Sequence, residues 1–261
     1  MKRLENIEDE VVAISFFAIL IFIWEFVASI ELVPSYILPA PTRIIKTLFT
    51  ELPILREHII VTLMEALVGF IIAIIFAITI CIIMDSIAIV KKAIYPLIIT
   101  SQTIPIITLA PLFAIWFGFG YFPKVVIVVL VCFFPITISL LEGLASVDKD
   151  LLNLVKSMGA NKIQLYEIVK LPAAMPNFFS GLKISATYSI MGATIGEWVG
   201  GKNGLGVYML RVKQSFATDK VFAAIIIITL LSIAILKVIE FIERKSMPWI
   251  YNKNQEIGED Q

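Results

Sequence analysis

Glu65 and Glu197 stand in the most chemically demanding positions of this sequence, because each is an acid at or inside an otherwise apolar run. A carboxylate in hydrocarbon is costly, so each must face protein or a polar pathway through it. Packing against a polar partner meets that demand as well as lining a pathway does, and the residues alone leave both open. Glu25 lies near the outer end of another apolar run. Lys183 and Lys237 lie near the opposite ends of theirs, where a long side chain can snorkel to water. These groups make no catalytic set. A single histidine, His58, and scattered acids argue against a membrane-embedded enzyme and against a histidine-based metal site. Cys81 and Cys132 fall in apolar runs without a CxxC and read as small hydrophobes. Gly200, Gly201, Gly204 and Gly206 imitate a phosphate loop only in composition, since no GK[ST] follows them and no strand precedes them. A hinge or tight outer turn accounts for them better, and no cofactor is implied.

The elements that must position these residues follow from composition. Charged residues make up only 16% of the 261, against about 25% in a soluble domain, and mean hydropathy is +0.94. Apolar runs near 11–30, 59–84, 93–123, 125–141, 177–199 and 221–236 predict about six transmembrane helices of about 20 residues each. The charge-free run 93–123 is too long for one straight helix, and Pro96, Pro105 and Pro111 predict a broken or kinked span with a partial re-entry. The uncharged run from Phe70 to Met84, apolar except for Thr79, excludes the alternation of a membrane barrel. The fold class is therefore an all-α polytopic membrane protein in the lipid bilayer. The first apolar run is longer than a signal-peptide core and lacks a small-residue cleavage site, so it reads as a retained helix. With the N-terminus inside, inner segments hold eleven Lys or Arg and outer segments, Lys124 included, hold eight. Net charge is zero, and nothing points to nucleic acid.

Between the fourth and fifth runs lies a polar interruption, residues 142–175. Asp148-Lys149-Asp150 can cap a short helix carrying Leu151, Leu152, Leu154, Val155 and Met158 at helical spacing. Gly159-Ala160-Asn161 permits a turn. A second amphipathic piece with Ile163, Leu165, Tyr166, Ile168 and Val169 is expected to stop at Leu171-Pro172 and Pro176. Two such helices joined at a glycine would lie across the membrane face, where they could enter a groove on a peripheral protein or simply rest on lipid. In the fifth run, Gly181, Ser185, Ser189, Gly192 and Gly196 form a ribbon of small residues that lets helices approach closely. Ser101-Gln102-Thr103 and Pro105 could line a cavity where a broken backbone is tolerated.

Residues 152–172, LNLVKSMGANKIQLYEIVKLP, resemble the signature loop of bacterial ATP-binding-cassette importer permeases, a pattern of EAA, three residues, Gly, and a stretch ending in Leu-Pro. Gly159, Ala160, Leu171 and Pro172 match, whereas Asn153, Leu154 and Val155 occupy the EAA part, without its acid. Leu38-Pro39-Ala40-Pro41, Ile104-Pro105, Pro111-Leu112, Trp116-Phe117-Gly118-Phe119-Gly120, Phe133-Phe134-Pro135, Gly181-Leu182, Gly204-Leu205-Gly206 and Pro248-Trp249 are similar to the nitrate/sulfonate/taurine branch. The resemblance implies a type I importer permease fold with a cytoplasmic coupling helix, divided into residues 1–58 (first helix and external segment), 59–241 (permease core) and 242–261 (cytoplasmic tail). It implies a non-catalytic subunit of the bacterial inner membrane that pairs with a second permease subunit, as a homodimer. Two cytoplasmic ATPase subunits and an extracytoplasmic substrate-binding protein complete the implied assembly. The symmetric dimer would also give the small-residue ribbon its reason. Gln102, Pro105, Glu197 and Trp198 become candidates for the pathway or its gating. The segments SQTIPIITLAPLFAIWFGFGYFPK, GEW and DKVFAAI look most like permeases for thiamine pyrimidine precursors of the hydroxymethylpyrimidine type. Sulfonate, taurine or nitrate importers are the alternatives, and an ion-coupled carrier, which would leave the Gly159 loop unexplained, is the rival class.

Overall fold

A computed structural model describes residues 2–249, and its regular elements are all helices. Residues 250–261 of the expected tail lie outside the described residues. In chain order the helices are α1 (Lys2–Ser29), α2 (Pro41–Ser86), α3 (Ala88–Ser101), α4 (Ile106–Phe117) and α5 (Tyr121–Ala145). They continue with α6 (Lys149–Ser157), α7 (Lys162–Leu165), a π-helical turn (Tyr166–Lys170), α8 (Leu171–Glu197), α9 (Leu205–Gln214) and α10 (Thr218–Ser246).

Helices α2, α5 and α10 are each long and apolar enough to cross a membrane, and α3 with α4, bent by 103° at their break, is together long and apolar enough for a broken span or a re-entrant loop. Of the three prolines only Pro105 marks the break, as the N-cap of α4, while Pro96 and Pro111 lie inside their helices. The remaining two expected spans are α1, apolar over Ile14–Ser29, and α8, whose 27 residues include the small and hydroxyl-bearing ribbon. That dilution has a packing reason: α8 is wedged against α5, α2 and α10, so protein rather than lipid covers much of it.

At 1.5 Å per residue the 46 residues of α2 extend about 69 Å, more than twice a hydrocarbon core. Residues 41–58 are thus the outer half of a continuous helix, with no change of element at 58/59. This helix starts with Pro at its first turn and has no side-chain cap of its own. Glu25 at the end of α1 supplies one, accepting the Thr42 N–H at 3.0 Å and its hydroxyl at 2.8 Å.

The inner half of α2 presents Ala66, Phe70, Ala73, Ala77, Cys81 and Met84, a stripe at spacings of three and four, to a core shared with α5, α8 and α10. The small-residue ribbon faces α5 of the same chain, which corrects the expectation that it serves a dimer. A Cβ on Gly181 would meet the Pro135 carbonyl at 2.8 Å, and Ser185 Oγ donates to the Cys132 carbonyl at 2.8 Å. Cys81 and Cys132 are free and buried in the same core. A second cluster joins the outer half of α2 to α9 and α10 through Leu55, Leu205, Tyr208, Ala224 and Ile227. Lys220 pairs with Glu51 at 2.7 Å beside it.

Candidate functional site

The cytoplasmic loop is built as two distinct halves. Helix α6 is capped by Asp148, whose carboxylate accepts the Asp150 N–H at 2.8 Å. It ends where the Gly159 N–H reaches the Lys156 carbonyl at 2.9 Å and the Ala160 N–H reaches Val155 at 3.3 Å. That pair of bonds requires a left-handed residue, and Gly159 has φ +86°. None of the described residues of α6 is buried, and Leu154, Met158 and Ile163 expose an apolar ridge that no other described residue of this chain covers. Asn153 is exposed with Leu154, and Val155 is half-buried.

The second half departs from expectation. Leu171-Pro172 and Pro176 do not stop a separate helix, because α7 passes through the π turn directly into α8. The Leu171 N–H bonds to the Tyr166 carbonyl, five residues back, which widens the helix just before Pro172, a residue with no N–H to contribute. Leu171 and Pro172 therefore open a membrane helix that is continuous with the loop. The π turn is also tied down: Tyr166 donates its hydroxyl to Asp85 at the end of α2, and Lys170 pairs with Asp85 at 2.5 Å. Sequence reasoning missed Asp85. Its only signal was an acid closing the second apolar run.

Gln102 and Pro105 meet where the broken span leaves the bundle. With Thr103, Phe134, Tyr188 and Met191 they line a cavity of about 330 Å³ that takes polar side chains from the break and from Tyr188 of α8. Glu197 and Trp198 do not line this cavity. Trp198 is exposed at the outer end of α8, whereas Glu197 turns into the protein and is 1% exposed.

Glu197 organises the outer corner. It accepts the Thr62 hydroxyl at 2.6 Å and the Gly206 N–H, at the start of α9, at 2.5 Å. Thr62 Oγ1 in turn accepts the Leu205 N–H at 2.8 Å, and His58 Nδ1 accepts the Gly204 N–H at 2.9 Å. Three unsatisfied N–H groups of a helix N-terminus are thus met by side chains of α2 and α8. The glycines are explained by this closeness. Gly204 has φ +128°, and a Cβ there would collide with the Glu197 carboxylate, while one on Gly206 would collide with the Thr194 carbonyl. Glu65 lies nearby, 1% exposed, and pairs with Lys124 at 2.7 Å. Lys124, counted by sequence with the outer segments, is itself buried. Lys183, read as snorkelling, instead pairs with Glu243 of α10 at 3.1 Å.

Residues 69–247 match the family described as binding-protein-dependent transport system inner membrane component. The chain is 37% identical to a formylaminopyrimidine transport permease protein of Halalkalibacterium halodurans, over 90% of this chain and 94% of that protein. It is 30% identical to a riboflavin transport system permease protein of Chloroflexus aurantiacus, over 88% of this chain and 87% of that one. It is 27% identical to a taurine transport system permease protein of Escherichia coli, over 89% and 87%. A polytopic helical body, an exposed loop that runs straight into a core helix, and a match across most of the sequence agree. This chain belongs to the binding-protein-dependent transport system inner membrane components, as a non-catalytic permease subunit of an ATP-binding-cassette importer that works with an ATPase and a substrate-binding protein.

Proposed function

We propose that this permease carries a thiamine pyrimidine precursor, of the formylaminopyrimidine or hydroxymethylpyrimidine type, into the cell. The observation that carries the reading is the 37% identity, over nearly the full length of both chains, to a permease named for formylaminopyrimidine. The cavity at the broken span suits such a cargo: Phe134 and Tyr188 offer aromatic faces to a flat ring, and Gln102 offers both a donor and an acceptor to its nitrogen atoms. Gln102 and Pro105 are the pathway residues in this reading. Glu197 and Trp198 act at its outer end, Glu197 by fastening the corner that a gate would have to move.

Two copies of this chain form the pathway, each docking one ATPase subunit through α6. The ridge of Leu154, Met158 and Ile163 around Asn153 and Val155 enters the ATPase, and Gly159-Ala160 sets its angle. Leu171-Pro172 passes the motion to α8. The test is ATP-dependent uptake by the complete importer in liposomes, with labelled formylaminopyrimidine and hydroxymethylpyrimidine set against taurine, an aliphatic sulfonate and nitrate. Accumulation of the pyrimidines is expected. Accumulation of taurine, sulfonate or nitrate without the pyrimidines would overturn the substrate assignment.

A further inference from the structure

Two cavities meet at the end of the bundle that carries α6, and their chemistry differs. The first, of about 130 Å³, presents apolar surface from Ile78 of α2, Leu140 and Leu144 of α5, and Ala174 and Phe178 of α8. The second, of about 560 Å³, is bordered by Asp85, Lys156, Lys162, Glu167 and Lys170. Ile82, Tyr166 and Leu171 line both, so the two form one recess with an apolar slot and a charged mouth. From that shared rim the slot runs one turn along α2 to Ile78 and about two turns along α8 to Phe178, which takes it into the membrane-spanning part of the bundle.

The charges at the mouth do not cancel. Lys170 and Asp85 answer each other at 2.5 Å, and Tyr166 donates to the same carboxylate. Among the described residues, the exposed Lys156 and Lys162 make no ion pair, and Glu167, also exposed, is the only further acid at the mouth. An anion is therefore favoured beside the two lysines, while the slot behind them favours apolar groups. Ile82 and Leu171 are exposed at the rim, so an occupant can enter from the side.

That occupant has to be apolar at one end and anionic at the other. A soluble subunit cannot reach a slot set among membrane-spanning helices. A second copy related by a two-fold axis would bring the same lysines to the same rim, adding like charge. We propose that the recess binds a diacyl phospholipid with an anionic headgroup, taken from the leaflet at the α6 end. One acyl chain lies in the slot between α2 and α8, and the phosphate sits between Lys156 and Lys162. The lipid thereby ties α6 and α7 to the membrane beside the core helices, whatever the cargo and whichever surface meets the ATPase.

Native mass spectrometry of the full chain released from nanodiscs of equal phosphatidylglycerol and phosphatidylcholine tests this. One retained phosphatidylglycerol per chain is expected. Lys156→Gln with Lys162→Gln should weaken its binding by about twenty-five-fold, at about fivefold for each lysine. Lys91→Gln with Lys92→Gln, on α3 and outside the lining of the recess, should keep the lipid. Glycerol phosphate and inorganic phosphate, offered to the delipidated chain, should bind far more weakly, because neither fills the slot. Retention that does not distinguish the two lipids, equal loss in the α3 pair, or no loss in the Lys156 and Lys162 pair overturns the proposal. So does capture of glycerol phosphate or inorganic phosphate as tight as that of the lipid, or a dimer of the chain that retains no lipid.

Discussion

Lys170 lies 2.5 Å from Asp85, and Tyr166 donates its hydroxyl to the same carboxylate, so one acid at the end of α2 holds both ends of the π turn. The Lys170 ammonium also sits 4.7 Å from the Tyr166 ring centre, which adds a cation–π contact to the ion pair. The loop between α5 and α8 is thereby fastened to two core helices at once: covalently to α8 and through Asp85 to α2.

Asp85→Asn keeps an acceptor for Tyr166 but removes the charge opposite Lys170. Hydrogen bonds to charged groups are worth about 1.5–3 kcal/mol, and about 1.4 kcal/mol corresponds to tenfold in an equilibrium. Transport per ATP hydrolysed in proteoliposomes should fall by roughly tenfold, with the ATPase still co-purifying. An unchanged ratio would show that this anchor does not carry the motion.

Gly159 meets no neighbour within 4 Å of an added Cβ, so a substitution there is opposed by backbone conformation and not by a clash. Left-handed φ costs an ordinary residue about 1–2 kcal/mol, less for Asn. Gly159→Val should weaken capture of the ATPase in a pull-down and leave membrane insertion intact. Gly159→Asn should recover much of the binding. Equal capture by the Val variant would remove the turn from the docking surface.

Thr62 donates to Glu197 and accepts from Leu205 with one hydroxyl. Thr62→Val keeps the shape and strands both partners in a buried site, at about 1–3 kcal/mol per unsatisfied group. Thermal unfolding in detergent should show a clear drop for Thr62→Val and almost none for Thr62→Ser. Similar values for the two variants would mean that the hydroxyl is not what holds α9.

The ribbon on α8 is not uniformly tight. An added methyl on Gly181 would sit 2.8 Å from the Pro135 carbonyl and 2.9 Å from Ser139 Cβ, while on Gly192 its nearest atom is Val128 Cα at 3.3 Å. Gly181→Ala should separate α5 from α8 and cost about 1–3 kcal/mol, as overpacking does. Gly192→Ala should be the milder change. The yield of monodisperse protein and its unfolding temperature would reveal an inverted order.

Much of this was legible in the residues. Absence of charge located the spans, because only water or a partner compensates an ionised side chain. The glycine and capping residues around Gly159 located the end of α6, because left-handed backbone is cheap only for a few residue types. The motif around Gly159 carried the family resemblance, and Gln102 with Pro105 pointed to a break that does open a cavity.

Tertiary structure decided which charges answer one another. Lys124 was indistinguishable from a solvated loop lysine until α5 was placed against α2, and Lys183 could have snorkelled had α10 not brought Glu243 to it. The glycines after Trp198 looked like a turn, and only the approach of Thr62 and Glu197 to the start of α9 showed that they also clear room for a carboxylate. Local sequence determined the helices and their ends, because backbone preference and apolar periodicity act within a few turns. The pairing of buried acids with donors from helices many residues away depends on how the bundle closes, and no local pattern records it.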